Sequence, residues 1–200
     1  MTMIRSVCVY CGSSNGRGET YREAGLSLGR SIGEAGLRLV YGGGTRGIMG
    51  AVAQGTLEAG GLVTGIIPRF LLNREASPDA LAHLSEVTIT ENMHERKHAM
   101  FERSDAFVAM PGGIGTLEEI VEIMTWGQLG RHRKPILFAN IDGFWNPMLS
   151  LLDHMRTEGF VHTGHLVQPL VVDSADKIVP ALLAAGGSEN GGDAPVIERM

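Results

Sequence analysis

The segment Ala106-Phe-Val-Ala-Met-Pro-Gly-Gly-Ile-Gly-Thr-Leu-Glu-Glu119 carries the densest chemistry in the chain. An apolar, strand-like run ends at Pro111, a glycine turn follows, and helical patterning opens near Thr116. Gly112, Gly113 and Gly115 permit positive φ and let the backbone approach a ligand with no Cβ in the way. The first N–H groups of a helix lack intrahelical partners and carry the positive end of its dipole. A phosphate fits such a turn, with the Thr116 hydroxyl as a further donor. The plainer alternative is a tight strand-to-helix turn in which Thr116 is only an N-cap. Glycine clusters at the carboxyl ends of strands favour the ligand site.

Gly42-Gly-Gly-Thr-Arg-Gly47 is a second glycine turn after an apolar run, and it fits Gly-x-Gly-x-x-Gly. A dinucleotide site would also want an acidic residue at the end of the next strand to hold a ribose. That strand ends in Pro68-Arg69, which argues against NAD, and no P-loop pattern occurs. Two glycine turns, one with Gly43 and Gly44 and one at Pro111–Thr116, suggest a single smaller nucleotide clamped from both sides. His94-Glu-Arg-Lys-His98 matches His-Glu-x-x-His, the zinc-hydrolase pattern, with Glu118 available as a third ligand. Its two central residues are cationic, which is unfavourable beside a dication, so no metal site is expected. Cys8 and Cys11 sit three apart in an extended run, on opposite faces, without the further ligands that zinc needs. His162 and His165 read as a surface or lid pair. His83, His132 and His154 show no coherent spacing.

The elements that position these groups alternate. Strand candidates are Ser6–Cys11, Leu37–Gly42, Leu62–Pro68, Glu86–Thr90, Ala106–Met110, Ile136–Ala139 and Leu170–Val172. Helical stretches between them are Thr20–Ala35, Ile48–Ala59, Met93–Arg103, Thr116–Leu129, Pro147–Glu158 and Ala175–Ala185. Several strands are continuously apolar, as expected where helices cover both faces of a parallel sheet. The pattern predicts an α/β, Rossmann-like, doubly wound and mainly parallel sheet. Residues Phe70–Ser85 break the rhythm and are expected to form a loop or short helices over the sheet edge. Pro147–Met155 carries Met148, Leu149, Leu151, Leu152 and Met155 at helical spacing, the pattern of core packing. Trp126, Met124 and Leu129 suit a core or dimer contact.

Of 200 residues, 44% are hydrophobic and 20% charged, enough for a buried core in one domain over residues 1–185. The glycine-rich stretch from Gly186 to the end has no periodicity and reads as a flexible tail. A net charge of −5 without a basic run argues against nucleic-acid binding. No run approaches the roughly 18 apolar residues of a membrane span, and the two cysteines suit a reducing compartment, so a cytoplasmic protein is expected.

Five motifs in this order carry a family resemblance: Val7-Cys-Val-Tyr-Cys-Gly-Ser-Ser14, Tyr41-Gly-Gly-Gly-Thr-Arg-Gly-Ile-Met-Gly50, Gly65-Ile-Ile-Pro68, Met93-His-Glu-Arg-Lys97 and Pro111–Glu119. Over roughly residues 5–185 the chain resembles the LONELY GUY family, cytokinin riboside 5′-monophosphate phosphoribohydrolases often labelled lysine decarboxylases. The resemblance implies hydrolysis of an N6-substituted or plain AMP to free base and ribose 5-phosphate, in a homodimer, without a cofactor. It places the catalytic arginine on Arg96 and the catalytic glutamate on Glu119. Substrate contacts fall on Lys97, Gly112, Gly113, Gly115, Thr116 and Glu118, with Glu75 as an acidic candidate in the loop. Ser13, Gly43 and Gly44 belong to the other glycine-rich ends.

The chemistry agrees with these assignments. Breaking an N-glycosidic bond creates an oxocarbenium-like sugar that a nearby carboxylate stabilises, or that water activated by it attacks. Glu119, expected in the first helical turn, would lie about a ribose length from a bound phosphate. Without catalysis, Glu119 would be an exposed acid favoured by the helix dipole, and Arg96 and Lys97 a solvated helix face. Two rival functions follow: a nucleotide or cofactor carrier of the same fold, which would not require Arg96 with Glu119, or a zinc hydrolase. Lysine decarboxylation would want a pyridoxal phosphate lysine, and none of Lys97, Lys134 and Lys177 has an evident setting for one. Whether the base is adenine or an N6-prenylated adenine stays open.

Overall fold

The computed structural model describes residues 3–161 and 168–187. Among the described residues, seven strands join one parallel sheet: β1 (Ser6–Tyr10), β2 (Arg38–Tyr41), β3 (Leu62–Pro68), β4 (Glu86–Thr90), β5 (Ala106–Ala109), β6 (Ile136–Ala139) and β7 (Leu170–Val172). Their order is β4-β3-β2-β1-β5-β6-β7. The chain therefore winds outward from β1 in one direction, then returns to β5 on its other side. The reversal opens a crevice at the carboxyl ends of β1 and β5, where doubly wound sheets bind ligands.

Helices are α1 (Thr20–Glu34), α2 (Gly47–Glu58), α3 (Pro78–Leu81), α4 (Met93–Glu102), α5 (Ile114–Gln128), α6 (Asn146–Thr157) and α7 (Ile178–Gly187). One core face combines Val7, Val9, Leu39 and Val108 with Leu28 and Ile32 of α1, Val52 of α2 and Leu182 of α7. The opposite face combines Cys8, Tyr10, Val40 and Phe107 with Met100 of α4, Ile120 and Ile123 of α5, and Trp145 beside α6. The period-two alternation of strand side chains separates these sets. It puts Cys8 and Cys11 on opposite faces, both buried as free thiols. Burial pushes the Cys8 thiol up to about 12 and raises that of Cys11 as well, which leaves both as inert packing groups. The predicted Rossmann-like class is the observed one.

Gly25, Gly29 and Gly33 recur every fourth residue along α1 and face α2. A Cβ at Gly29 would overlap the Val52 carbonyl, and one at Gly55 would overlap that of Leu26, so the two backbones touch. The stretch predicted as Phe70–Ser85 begins within a 3-10 turn, Arg69–Leu71, and holds the short α3, packed on Ile67 through Ala76 and Leu81.

Three expectations need correction. α6 has no fully buried residue, and Leu151 and Met155 are exposed, so its apolar stripe is only half covered. The stretch from Ala175 splits into a 3-10 turn, Ala175–Lys177, and α7, because Pro180 tolerates only an early helical position. α7 extends through Gly187, so Gly186 does not begin a tail. The remaining tail, from residue 188, and the His162–His165 pair lie outside the described residues.

Candidate active site

The glycine turn sits at the crevice. Met110 N–H donates to the Tyr10 carbonyl at 2.9 Å and Gly12 N–H to the Pro111 carbonyl at 3.0 Å, which ties the turns after β1 and β5 together. α5 opens at Ile114 with Gly113 as its N-cap, two residues earlier than the spacing suggests. Thr116 is thus the third helical residue rather than a cap, and Glu119 lies in the second turn. The first helical bond runs from Leu117 N–H to the Gly113 carbonyl at 3.0 Å, which leaves the N–H groups of Ile114, Gly115 and Thr116 ahead of it.

None of Gly112, Gly113 and Gly115 adopts a positive φ, contrary to the expectation from their type. What they supply is space. A Cβ on Gly112 would overlap the Thr116 Oγ1 and stand 2.9 Å from Gly12 N, so only glycine lets the two turns meet. At Gly113 and Gly115 a Cβ would meet nothing within 4 Å, so packing does not require glycine there. The surface over these two residues is open, and a ligand could lie directly against the backbone. Ile114, between them, is 81% exposed.

α4 delivers the cationic group. Asn92 caps it, its Oδ1 accepting from Glu95 N–H at 2.9 Å, while Glu95 Oε2 accepts from Glu91 N–H at 2.9 Å. This reciprocal cap fixes the helix start. One turn on, the Arg96 side chain turns inward across the sheet ends. Its Nε donates to the Ile66 carbonyl at 3.2 Å and its Nη2 to the Gly42 carbonyl at 3.5 Å. Its Nη1 lies 3.3 Å from Glu119 Oε1, and the two side chains are only 7% and 9% exposed. The solvated-face reading of Arg96 and the exposed-acid reading of Glu119 are therefore both incorrect: the two side chains form a buried ion pair.

Burial pushes the Glu119 carboxyl up from 4.5 to about 7. Arg96 and then Lys97 pull it down, while Glu118 and Glu75 push it up. Desolvation outweighs the single close cation, so this acid titrates near neutrality. Lys97, half-buried on the same helix as Arg96, holds Glu118 Oε1 at 2.6 Å and Glu122 Oε1 at 3.2 Å. Desolvation lowers the ammonium's affinity for its proton, but the bonds to Glu118 and then Glu122 outweigh it and raise its pKa. Lys97 and Glu118 thus neutralise each other, on the rim of the buried pair.

The other predicted positions fall on a neighbouring hollow. Ser13, Gly44 and Glu75 line a cavity of about 130 Å³ together with Arg46 and Arg74. Thr45 N–H and Oγ1 both donate to the Glu75 carbonyl, at 3.0 and 3.2 Å, which pins the loop after β3 onto the turn after β2. Gly43, at φ +78°, makes that turn against Ile67. Sequence reading missed Arg46 and Arg74, although one lies inside the second glycine motif and the other precedes Glu75. A larger hollow of about 410 Å³ lies at the amino ends of the strands, among Arg5, Arg38, Thr64, Glu86, Arg103 and Asp105, away from the glycine turns.

The zinc-hydrolase pattern has a different use here. Its glutamate, Glu95, is spent on the α4 cap, and His94 and His98 are exposed. Among the described residues, no three His, Cys, Asp or Glu groups come together as a metal set. No described helix is long and apolar enough to cross a membrane.

The family model whose description is "Possible lysine decarboxylase" matches residues 49–182. Cytokinin riboside 5′-monophosphate phosphoribohydrolase LOG of Oryza sativa subsp. japonica is 46% identical over 158 residues, 79% of this chain and 64% of the relative. Cytokinin riboside 5′-monophosphate phosphoribohydrolase LOG7 of Arabidopsis thaliana is 45% identical, over 79% of this chain and 71% of the relative.

The chain belongs to the LONELY GUY family.

It spans just under two thirds of the length of that rice relative, and more of others in the family. Among solved structures, TM1055 superposes with a TM-score of 0.68 at 27% identity, covering 89% of this chain and 98% of that one. The molybdenum cofactor carrier protein of Chlamydomonas reinhardtii superposes at 0.64 with 17% identity, over 90% and 96% of the two chains. The second likeness establishes the fold alone, since fold and function separate readily. Arg96, Lys97, Glu118 and Glu119 all lie inside the segment, residues 49–182, that the family model matches.

Proposed function

We propose that the protein hydrolyses the N-glycosidic bond of an adenosine 5′-monophosphate, plain or N6-substituted, releasing free base and ribose 5-phosphate. The buried Arg96–Glu119 pair, beside a glycine turn with open backbone N–H groups, carries this reading, and the names of the relatives support it. The 5′-phosphate lies on the amino end of α5, against Gly112, Gly113, Gly115 and Thr116. Ser13, Gly43, Gly44 and Glu75 border the nucleoside from the other glycine turn, with Lys97 and Glu118 at the rim.

As the bond from C1′ to the base nitrogen breaks, its electron pair leaves with the base and positive charge grows on the ribose. Ionised Glu119 stabilises that charge and takes a proton from the water that attacks C1′, and this proton passes on to the departing base nitrogen, which restores the carboxylate. Arg96 holds the carboxylate in place and keeps part of it ionised near pH 7. No step calls for a cofactor. The protein acts as one catalytic domain over residues 1–185, in the cytoplasm, as a homodimer.

The test is to incubate the protein with AMP, isopentenyl-AMP, GMP and CMP and measure released base. Adenine-type base is expected from the first two, and Glu119→Ala should abolish release while the far-UV spectrum is unchanged. An active Glu119→Ala variant would overturn the mechanism. Nucleotide binding without base release from any substrate would favour the carrier function instead.

A further inference from the structure

The Arg96 guanidinium reaches Glu119 only because position 42 has no side chain. β2 ends at Tyr41, and its next carbonyl, that of Gly42, accepts from Arg96 Nη2. A Cβ built on Gly42 would overlap that same Nη2, lie 3.1 Å from Cζ, and stand 2.6 Å from the Met49 Cε. Both overlaps fall on the ends of flexible side chains, and the deeper one is with the guanidinium, which must move. The φ of Gly42 is not in the positive range, so no backbone demand for glycine competes with this explanation. The fixed points that remain are the Ile66 carbonyl on Nε and Glu119 on Nη1. A displaced guanidinium must pivot about Nε, which carries Nη1 off the carboxylate.

We infer that Gly42 is a positioning residue: it clears the volume that seats Arg96 against Glu119, and so sets the protonation range of that carboxylate. This rests on the proposed hydrolase reading for its kinetic consequence, not for its steric one. The charged and titratable groups around Glu119 are Arg96 and Lys97 of α4, Glu118 of its own helix, Glu75 of the loop after β3, and Cys8, Tyr10 and Cys11 in and just after β1. Only Arg96 among them touches position 42, so a change there acts on Glu119 through one group.

The experiment is a cycle of Gly42→Ala, Arg96→Ala and the double variant, read by thermal melting and by base release from AMP across pH 5–9. Gly42→Ala should melt about 5 °C lower, as overpacking does. Its acid limb of kcat should move about one pH unit up, with an approximately fivefold loss at pH 7 that is largely regained at pH 9. A merely structural role would lower activity equally at all pH values. In the Arg96→Ala background the same Gly42→Ala change should cost clearly less melting temperature, because the nearer atom it strikes is gone and only the overlap with the flexible Met49 end remains. If Gly42→Ala alone fails to fold, recovery of folding in the double variant supports the contact, and continued failure there overturns it. An equal melting loss in both backgrounds, or an unmoved acid limb, also overturns the inference. If the wild type releases no base, the hydrolase reading fails while the melting cycle still decides the Gly42–Arg96 contact.

Discussion

Glu119 makes a prediction that needs no substrate. Its carboxyl titrates near 7 inside the fold against 4.5 as the ordinary value, burial being the main cause and Arg96 the main opposing one. A group whose folded pKa is raised binds its proton more tightly in the native state. Its stabilising contribution is complete below pH 4.5 and is lost as pH rises through about 7. The difference between those pKa values corresponds to about 3 kcal/mol. Glu119→Gln keeps the shape and cannot titrate, and it stands in for the protonated carboxyl, which likewise leaves Arg96 without a counter-charge. The stability of wild type minus that of the glutamine variant should therefore fall by about 3 kcal/mol between pH 4.5 and 8. Urea unfolding at half-unit pH steps measures it, and any pH-independent effect of the substitution cancels in the slope. Parallel curves would refute the argument that desolvation outweighs Arg96. A difference that rises with pH would mean the carboxyl is held below its ordinary value.

Gly112→Ala should destabilise the fold by about 2 kcal/mol or more, because its Cβ meets backbone and the Thr116 hydroxyl; urea unfolding would check it. Gly115→Ala should leave the melting temperature nearly unchanged and raise KM for AMP about tenfold, which paired melting and kinetics would check. Trp145→Phe removes the bond from Nε1–H to the Ala109 carbonyl at 3.0 Å and should cost about 1–2 kcal/mol in urea unfolding. Base release should be unaffected by prior dialysis against EDTA, since the glutamate of the His-Glu-x-x-His pattern is held in the α4 cap; loss of activity restored by zinc would contradict that.

The sheet was legible because its strands are short apolar runs bounded by glycine and proline, and several strand limits agree to the residue. The glycine turn was legible too, but its mechanism was misread. Residue type announces freedom of φ, whereas Gly112 is required by the neighbouring strand end and Gly113 and Gly115 by nothing in the fold. Arg96 and Glu119 are a different case. They lie on different helices and polar residues default to the surface, so local pattern alone left a solvated arginine and an exposed acid open as alternatives, and it was the family resemblance that singled the two out. Only the crossover that carries α4 back over β3 brings them together. Arg46 and Arg74 were missed for the same reason, since a cavity wall shared by two loops has no signature along the chain.

The backbone contact between α1 and α2 limits how the site can adapt to what enters it. The turns carrying Ser13 and Gly44 lead into helices whose main chains are pressed together at Gly29 and Gly55, with no side chains between them to slide or repack. That wall behaves as a rigid mould. Variation in what the site admits must then be written on the opposite side, in α4, α5 and the loop around Glu75. A search for altered base preference should randomise those segments and leave the glycine seam untouched.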